Sequence, residues 1–366
     1  MEKKQKSTLL FSIVVSALII GCGGSSGSSN TSTSGKVIDD YIKGATVCAD
    51  VNGNGKPDDG DANCVLTDDN GAFNFGRDIN VPLVMSGGVD IGTNKPFTGT
   101  FLAPIGSEVI NPLTTIVSSI QKAGKTLEEA QDIVKEKLGL PDVDLTTFDP
   151  LSEVVYGEDN TAKENAKKVL AQQSNIQVIL TVVATTIASA STSIEEYEVT
   201  EQAADQIAAI MLAVDTNSSS VNIASQASVV TILEETATTV LAAEPTAIAQ
   251  VQAVTNVVAQ QTEAISSAVV ANVEAIAVNS AETGEDAIAE ANSALLLVTD
   301  QDNADSVSNL IETAVTTGST TDLGNVDVDA EIANSQSTLP ERPTIPETTD
   351  ANIPAVIHTT GGNGGN

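Results

Sequence analysis

The chain has 366 residues, a formal net charge of −33, no tryptophan, and only six Phe and three Tyr. An acidic excess of this size argues against binding nucleic acid, whose phosphates need clustered Lys and Arg. With so few aromatic residues any core must be built from Ala, Val, Ile and Leu, which suits closely packed helices, and the length is enough for two domains.

The first segment, residues 1–21, opens with Lys3, Lys4 and Lys6, followed by an apolar run from Leu9 to Ile20. That run is too short to span a bilayer comfortably and reads as a signal peptide. Ile19-Ile20-Gly21-Cys22 resembles the lipobox of bacterial lipoproteins. The resemblance implies cleavage before Cys22, attachment of diacylglycerol to its thiol and acylation of the new amino terminus. Gly23, where such families place Asp for inner-membrane retention, implies the outer membrane. The alternative is an ordinary signal peptide with an incidental cysteine. Residues 22–35 are Gly, Ser, Thr and Asn apart from Cys22 itself, a flexible tether. With Cys22 assigned to lipid, Cys48 and Cys64 remain as a candidate disulfide, a bond favoured outside the cytoplasm. The alternative is two separate thiols. No C-x-x-C occurs, so redox, haem and Cys-based zinc motifs have no support.

Between those cysteines lies Asp50-Val51-Asn52-Gly53-Asn54-Gly55-Lys56-Pro57-Asp58-Asp59-Gly60-Asp61. Calcium takes six to eight hard oxygens, which a twelve-residue loop supplies from alternate positions. Asp50, Asn52, Asn54, the Lys56 carbonyl, Asp58 and Asp61 fill the ligand positions, and Gly55 stands at the sharp turn. Asp61 replaces the usual Glu at the last position, which implies weaker binding. The competing reading is an Asn/Gly/Asp turn without metal. The flanks, residues 45–49 and 64–67, read as short strands, so the loop joins strands and is not an EF-hand.

Tyr41-Ile42-Lys43-Gly44-Ala45-Thr46-Val47, the loop, and Thr67-Asp68-Asp69-Asn70-Gly71-Ala72-Phe73 together resemble the carboxypeptidase-regulatory or B-type repeats of bacterial surface proteins. That resemblance covers residues 36–105. It implies a small prealbumin-like β-sandwich, calcium binding, and a spacer or scaffold role of the kind found in large surface adhesins. The cysteine pair departs from the common pattern and implies a loop less dependent on calcium for its order.

Residues 106–317 read as an all-α helical bundle. Asn111-Pro112 is a cap followed by a first-turn proline, and Gly124 ends that helix. Thr126-x-x-Glu129 is a capping box for residues 127–138, and Thr161-x-x-Glu164 opens a long helix toward Ser189. Residues 140–160 read as a connector. Further helices are expected at 200–214, 224–243, 246–278, 284–298 and 303–317. Val and Thr are mediocre helix formers, so strands compete in places. Residues 169–341 contain 24 Asp and Glu and no Lys or Arg. That pattern is a solvated, self-repelling surface, or else a face for a basic or divalent partner. Residues 318–366, with four prolines after 338 and a Gly/Asn end, read as a disordered tail.

The fold expectation is therefore α+β and multidomain, a β-sandwich followed by a helical bundle. No catalytic site is legible: the single histidine, His358, falls in the tail, and no phosphate-binding glycine loop occurs. The expected protein is a lipid-anchored outer-membrane lipoprotein with a structural or adhesive role toward a protein or surface ligand, and no nucleic acid partner. The alternative is a carbohydrate-binding or carboxylate-based carbohydrate-processing protein.

Overall fold

Short strands buried on both faces build the N-terminal part. A computed structural model describes residues 32–57, 61–214 and 220–345. Its strands are β1 (Ser34–Val37), β2 (Ile42–Lys43), β3 (Thr46–Ala49), β4 (Ala62–Leu66), β5 (Ala72–Asn74), β6 (Leu83–Ser86), β7 (Val89–Asp90), β8 (Thr100–Ala103) and β9 (Val109–Ile110). They form a four-stranded sheet ordered β4-β3-β6-β8, a three-stranded sheet β5-β1-β9 and the pair β2-β7. In the four-stranded sheet Val47, Met85 and Phe101 stand in register, all fully buried in the main core. One residue along, Cys48, Val84 and Leu102 face the other way and cluster with Cys64. That is the two-residue period of a strand with apolar contacts on both faces.

The edge of this sheet is closed by a helix. The helices are α1 (Pro112–Lys122), α2 (Leu127–Leu138), α3 (Pro150–Tyr156), α4 (Asn160–Ala188), α5 (Glu196–Ala213), α6 (Gln226–Val240), α7 (Pro245–Ala275), α8 (Ala281–Thr299), α9 (Val307–Thr317), α10 (Thr321–Gly324) and α11 (Val328–Thr338). Strand β8 has a free side, and α1 satisfies it. The Leu102 N–H donates to Thr115 Oγ1 at 3.0 Å, and Thr114 Oγ1 donates to the Leu102 carbonyl at 2.8 Å. An edge that would otherwise expose unpaired backbone groups is covered.

Helix α4 is the centre of the helical part, with α1, α3, α5, α7, α8 and α9 packed around it. Its residues 176–180 are buried without interruption, so no polar stripe is left on that turn. Threonine and valine do not break these helices. Thr186, Thr255 and Thr262 return their hydroxyl protons to the carbonyls of Val182, Val251 and Val258, four residues back, at 2.6–2.8 Å. Lys167 Nζ donates to the Glu274 and Ile276 carbonyls at 2.9 and 2.7 Å, placing a cation on the C-terminal end of α7. Gly284 lets α8 approach α3, since a Cβ there would stand 2.4 Å from the Val154 carbonyl oxygen. No helix among the described residues is long and apolar enough to cross a membrane.

The helical expectations differ from the structure in three places. Residues 150–156, read as connector, form α3, because Asp149 caps Leu151 and Ser152 ahead of Pro150 in the first turn. Helix α4 begins at Asn160, not at the Thr161 capping box: Asp159 accepts the Ala162 N–H and takes the cap. The boundary expected at 105/106 does not interrupt the packing, because one hydrophobic cluster runs from Val37 through Phe101 into Ile116, Ile179 and Leu297.

The described part of the expected disordered tail is a fourth difference. Residues 321–324 and 328–338 are helical, Leu323 and Ile332 are buried, and Ile345 is buried with its carbonyl accepting from Tyr156 Oη at 2.8 Å. A sparse set of apolar residues, one per turn, is enough when an existing core offers sites for each. The remainder, 346–366 with His358, lies outside the described residues, as do residues 1–31 with Cys22.

Candidate metal centre

The loop expected to hold calcium joins β3 to β4, which pair antiparallel through Thr46 with Leu66 and Val47 with Val65. Cys48 and Cys64 are disulfide-bonded across its base. Within it, Asp50 is buried and organises the turn. Its Oδ1 accepts the N–H groups of Gly53 at 2.7 Å and Asn54 at 3.1 Å, and its Oδ2 accepts that of Gly55 at 3.2 Å. The same motif repeats down the loop: Asn52 Oδ1 accepts from the Asn54 N–H at 2.9 Å and Asn54 Oδ1 from the Lys56 N–H at 3.0 Å, while Asp61 Oδ1 reaches back across the loop to accept the Val51 N–H at 3.0 Å. Gly53 and Gly55 have φ of +71° and +69°, a region that glycine enters without steric cost.

Those nested bonds place side-chain oxygens of Asp50, Asn52 and Asn54 at alternate positions of the turn. Burial pushes the Asp50 carboxyl above its usual range, and the nearby Asp61 charge adds to this, while the N–H groups of Gly55, Gly53 and Asn54 oppose it. A cation between Asp50 and Asp61 would reverse that balance. The donor set suits a hard cation: two carboxylates, two side-chain amides and the Lys56 carbonyl. Each carboxylate oxygen carries more than one lone pair, so a backbone bond does not exhaust it. Asp58, the remaining expected ligand, lies outside the described residues. Among the described residues, no three His, Cys, Asp or Glu side chains come together as a metal-binding group.

The loop also touches the helical part, which the sequence pattern did not indicate. Lys56 Nζ pairs with Glu198 Oε1 of α5 at 2.6 Å and stands 5.2 Å from the centre of the Tyr197 ring. A Cβ at Gly55 would lie 2.8 Å from Glu201 Oε2. Lys122 Nζ in turn bridges Glu201 and Asp205 at 2.9 and 2.7 Å. Gly55 thus serves two needs, a left-handed backbone and close approach of α5.

A second charged group, also unexpected from sequence, sits under the β1–β2 connection. Asp39 and Asp90 are buried and Asp40 is fully buried. Asp90 Oδ2 accepts the Asp40 N–H at 3.0 Å, and its Oδ1 accepts from Thr93 N and Oγ1 at 2.7 Å. Arg342 pairs with Asp40. The only sequence signals were the Asp39-Asp40 doublet between apolar residues and a lone arginine far beyond Lys168.

A shallow polar depression is lined by residues that include Thr185, Glu196, Gln301, Ser308, Asn309 and Glu312. The chain matches no protein-family model, no curated protein and no solved structure.

Proposed function

We propose that this protein is an exported lipoprotein of the outer membrane, with a calcium-stabilised β-module and an acidic helical part serving a structural or adhesive role rather than catalysis. The observation that carries the reading is the loop of nested carboxylate and amide turns around Asp50, closed by the Cys48–Cys64 bond. Its oxygens at Asp50, Asn52, Asn54, Lys56, Asp58 and Asp61 would hold calcium, which would supply positive charge to a turn that concentrates negative charge. The β-module is read as a prealbumin-like sandwich over residues 36–105. Support comes from its four-stranded antiparallel sheet and from the strand-joining position of the loop, while the three-stranded sheet is mixed, with β1 and β9 parallel. The lipobox-like Ile19-Ile20-Gly21-Cys22 and the disulfide support export.

Millimolar calcium is expected to raise the melting temperature of the mature protein. Affinity in the 10⁻⁴ to 10⁻³ M range typical of extracellular modules is of the order expected. Asp50→Ala should remove the shift, while Asp59→Ala, at a non-ligand position, should leave most of it. A calorimetric titration with no heat and no thermal shift would overturn the metal reading. Replacing Cys22 by Ser should move the protein from the membrane fraction to the soluble fraction; continued membrane retention would defeat the anchor.

The carbohydrate reading gains little from the described residues. The depression with Glu196 and Glu312 has two carboxylates, but its lining contains no aromatic ring on which a sugar would stack.

A further inference from the structure

Arg342 enters a pocket whose walls are built without it. Asp40 is held from several directions: its Oδ1 accepts the Tyr41 N–H at 2.6 Å, its Oδ2 accepts from Asn292 Nδ2 of α8 at 2.9 Å, and its own N–H is fixed by Asp90. Gly92 forms part of the wall, because a Cβ there would fall 2.4 Å from Asp40 Oδ2 and 2.1 Å from Asn292 Nδ2. The Tyr41 ring flanks the opening, 6.0 Å from Arg342 Cζ. The Tyr41 hydroxyl is itself tied to Asp149 at 2.7 Å.

Into this frame Arg342 places a planar fork. Nε donates to Asp40 Oδ2 at 2.6 Å and Nη2 donates to Asp40 Oδ1. Two parallel charge-assisted bonds from one guanidinium to one carboxylate form a geometry that a lysine cannot reproduce. The pocket also holds more carboxyl groups than this pair uses. Asp39 is 6% exposed, its Oδ1 has no hydrogen-bond partner within the described residues, and it feels the charges of both Asp90 and Asp40.

The occupant is unusual in its own stretch of chain. Beyond Lys168 the sequence has no Lys or Arg other than Arg342. Pro340 and Pro343 bracket Glu341-Arg342, and proline lowers the entropy lost when an extended segment is fixed. Three residues on, Ile345 is buried and accepts the Tyr156 hydroxyl, a second point of attachment.

We propose that the Asp40 pocket is a preformed guanidinium-binding site, and that Arg342 fills it as an intramolecular ligand that straps residues 339–345 onto the β1–β2 turn and α8. The ligand class is an arginine side chain, here supplied by the chain itself. The strap joins the C-terminal segment to the first strands and so closes the fold between its two ends.

Hydrogen exchange on the full mature protein and on Arg342→Ala tests this. The amides at positions 339, 341, 342, 344 and 345 (positions 340 and 343 are prolines and carry none) should exchange at least about tenfold faster in the variant, the loss expected for a charged bidentate pair, while those of α4 stay protected. Millimolar guanidinium should then raise the melting temperature of Arg342→Ala but not of the wild type, whose site is filled, and methylammonium at equal concentration should not. Asp40→Asn in the same background should abolish the response. Unchanged exchange, or equal responses to guanidinium and methylammonium, would overturn the proposal. Should Arg342→Ala not fold, Arg342→Lys decides. Retention of wild-type exchange by the lysine would show that charge alone suffices and would refute fork recognition, whereas selective loosening of 339–345 would support it.

Discussion

Replacing Cys48 and Cys64 together by alanine is expected to lower the unfolding free energy by roughly 3 kcal/mol, the chain-entropy value for a closed loop of this length. The bond spans a sequence separation of 16, and it lies within the β3–β4 pairing, at the register shift between Val47 and Ala49. Alanine is preferable to serine because Cys48 is fully buried against Val84 and Leu102, where a hydroxyl would lack a partner. The loop between the cysteines would lose one of its two closures and keep the hydrogen bonds around Asp50. Calcium affinity should therefore weaken in the double variant, since ordering the loop then falls on the binding step. Denaturant titration of the two proteins, with and without calcium, measures both effects. Equal midpoints with and without the bond would contradict a structural role for it.

The second large effect concerns pH. Burial, reinforced by the charge of Asp40, pushes the Asp90 carboxyl up to about 6 from its ordinary 3.8, although Thr93 and the Asp40 N–H partly oppose the rise. Asp39 is raised as well, first by burial and then by Asp90 and Asp40. Between these limits the folded protein binds a proton that the unfolded chain releases. Stability is then fully present below about 3.8 and is lost as pH rises through about 6. A shift of this size corresponds to roughly 3 kcal/mol. The chain's net charge of −33 adds self-repulsion in the same direction. Lowered carboxyls act the other way: Glu129 is held down by the Thr126 N–H and hydroxyl, and Asp142 by Lys135, but both are fully exposed. Urea unfolding across this range should thus show stability falling toward neutral pH. Asp90→Asn should flatten much of that slope while keeping an acceptor for Thr93. A slope unchanged by the substitution would assign the pH dependence to other groups.

Both effects arise in the strand region, and they differ in how far the sequence announced them. The loop was legible because its chemistry is local. Asp50, Asn52, Asn54 and Gly55 lie within six residues, and their spacing alone dictates nested side-chain-to-backbone turns with an oxygen at alternate positions. The capped helices were legible for the same reason: Asn111 and Thr126 each form a capping box within one turn of their own position. Helix α3 was missed because its seven residues are too few to show a period.

The docking of Glu198 and Glu201 on the loop, and of Arg342 on Asp40, was hidden for a different reason. The partners are 142 and 302 residues apart. Nothing in the local pattern distinguishes Glu201 from the other acidic residues of the helical part, or Arg342 from a solvated residue between two prolines.

By itself, then, the sequence determined the elements whose cause is local: a twelve-residue turn with an oxygen at alternate positions, caps at helix starts, and a core of small aliphatic residues forced by the lack of aromatics. The tertiary structure decided which charges are buried together and which surplus apolar residues find a place. Ile332 and Ile345 are too sparse to order a free segment, but they are buried once α8 and α3 present a surface. Asp40 is costly to bury alone, and it is tolerated because the neighbouring Tyr41 N–H donates to it and because Asn292 and Arg342 reach it from distant parts of the chain. Those decisions depend on loop closures over hundreds of residues, and only the complete packing makes them favourable.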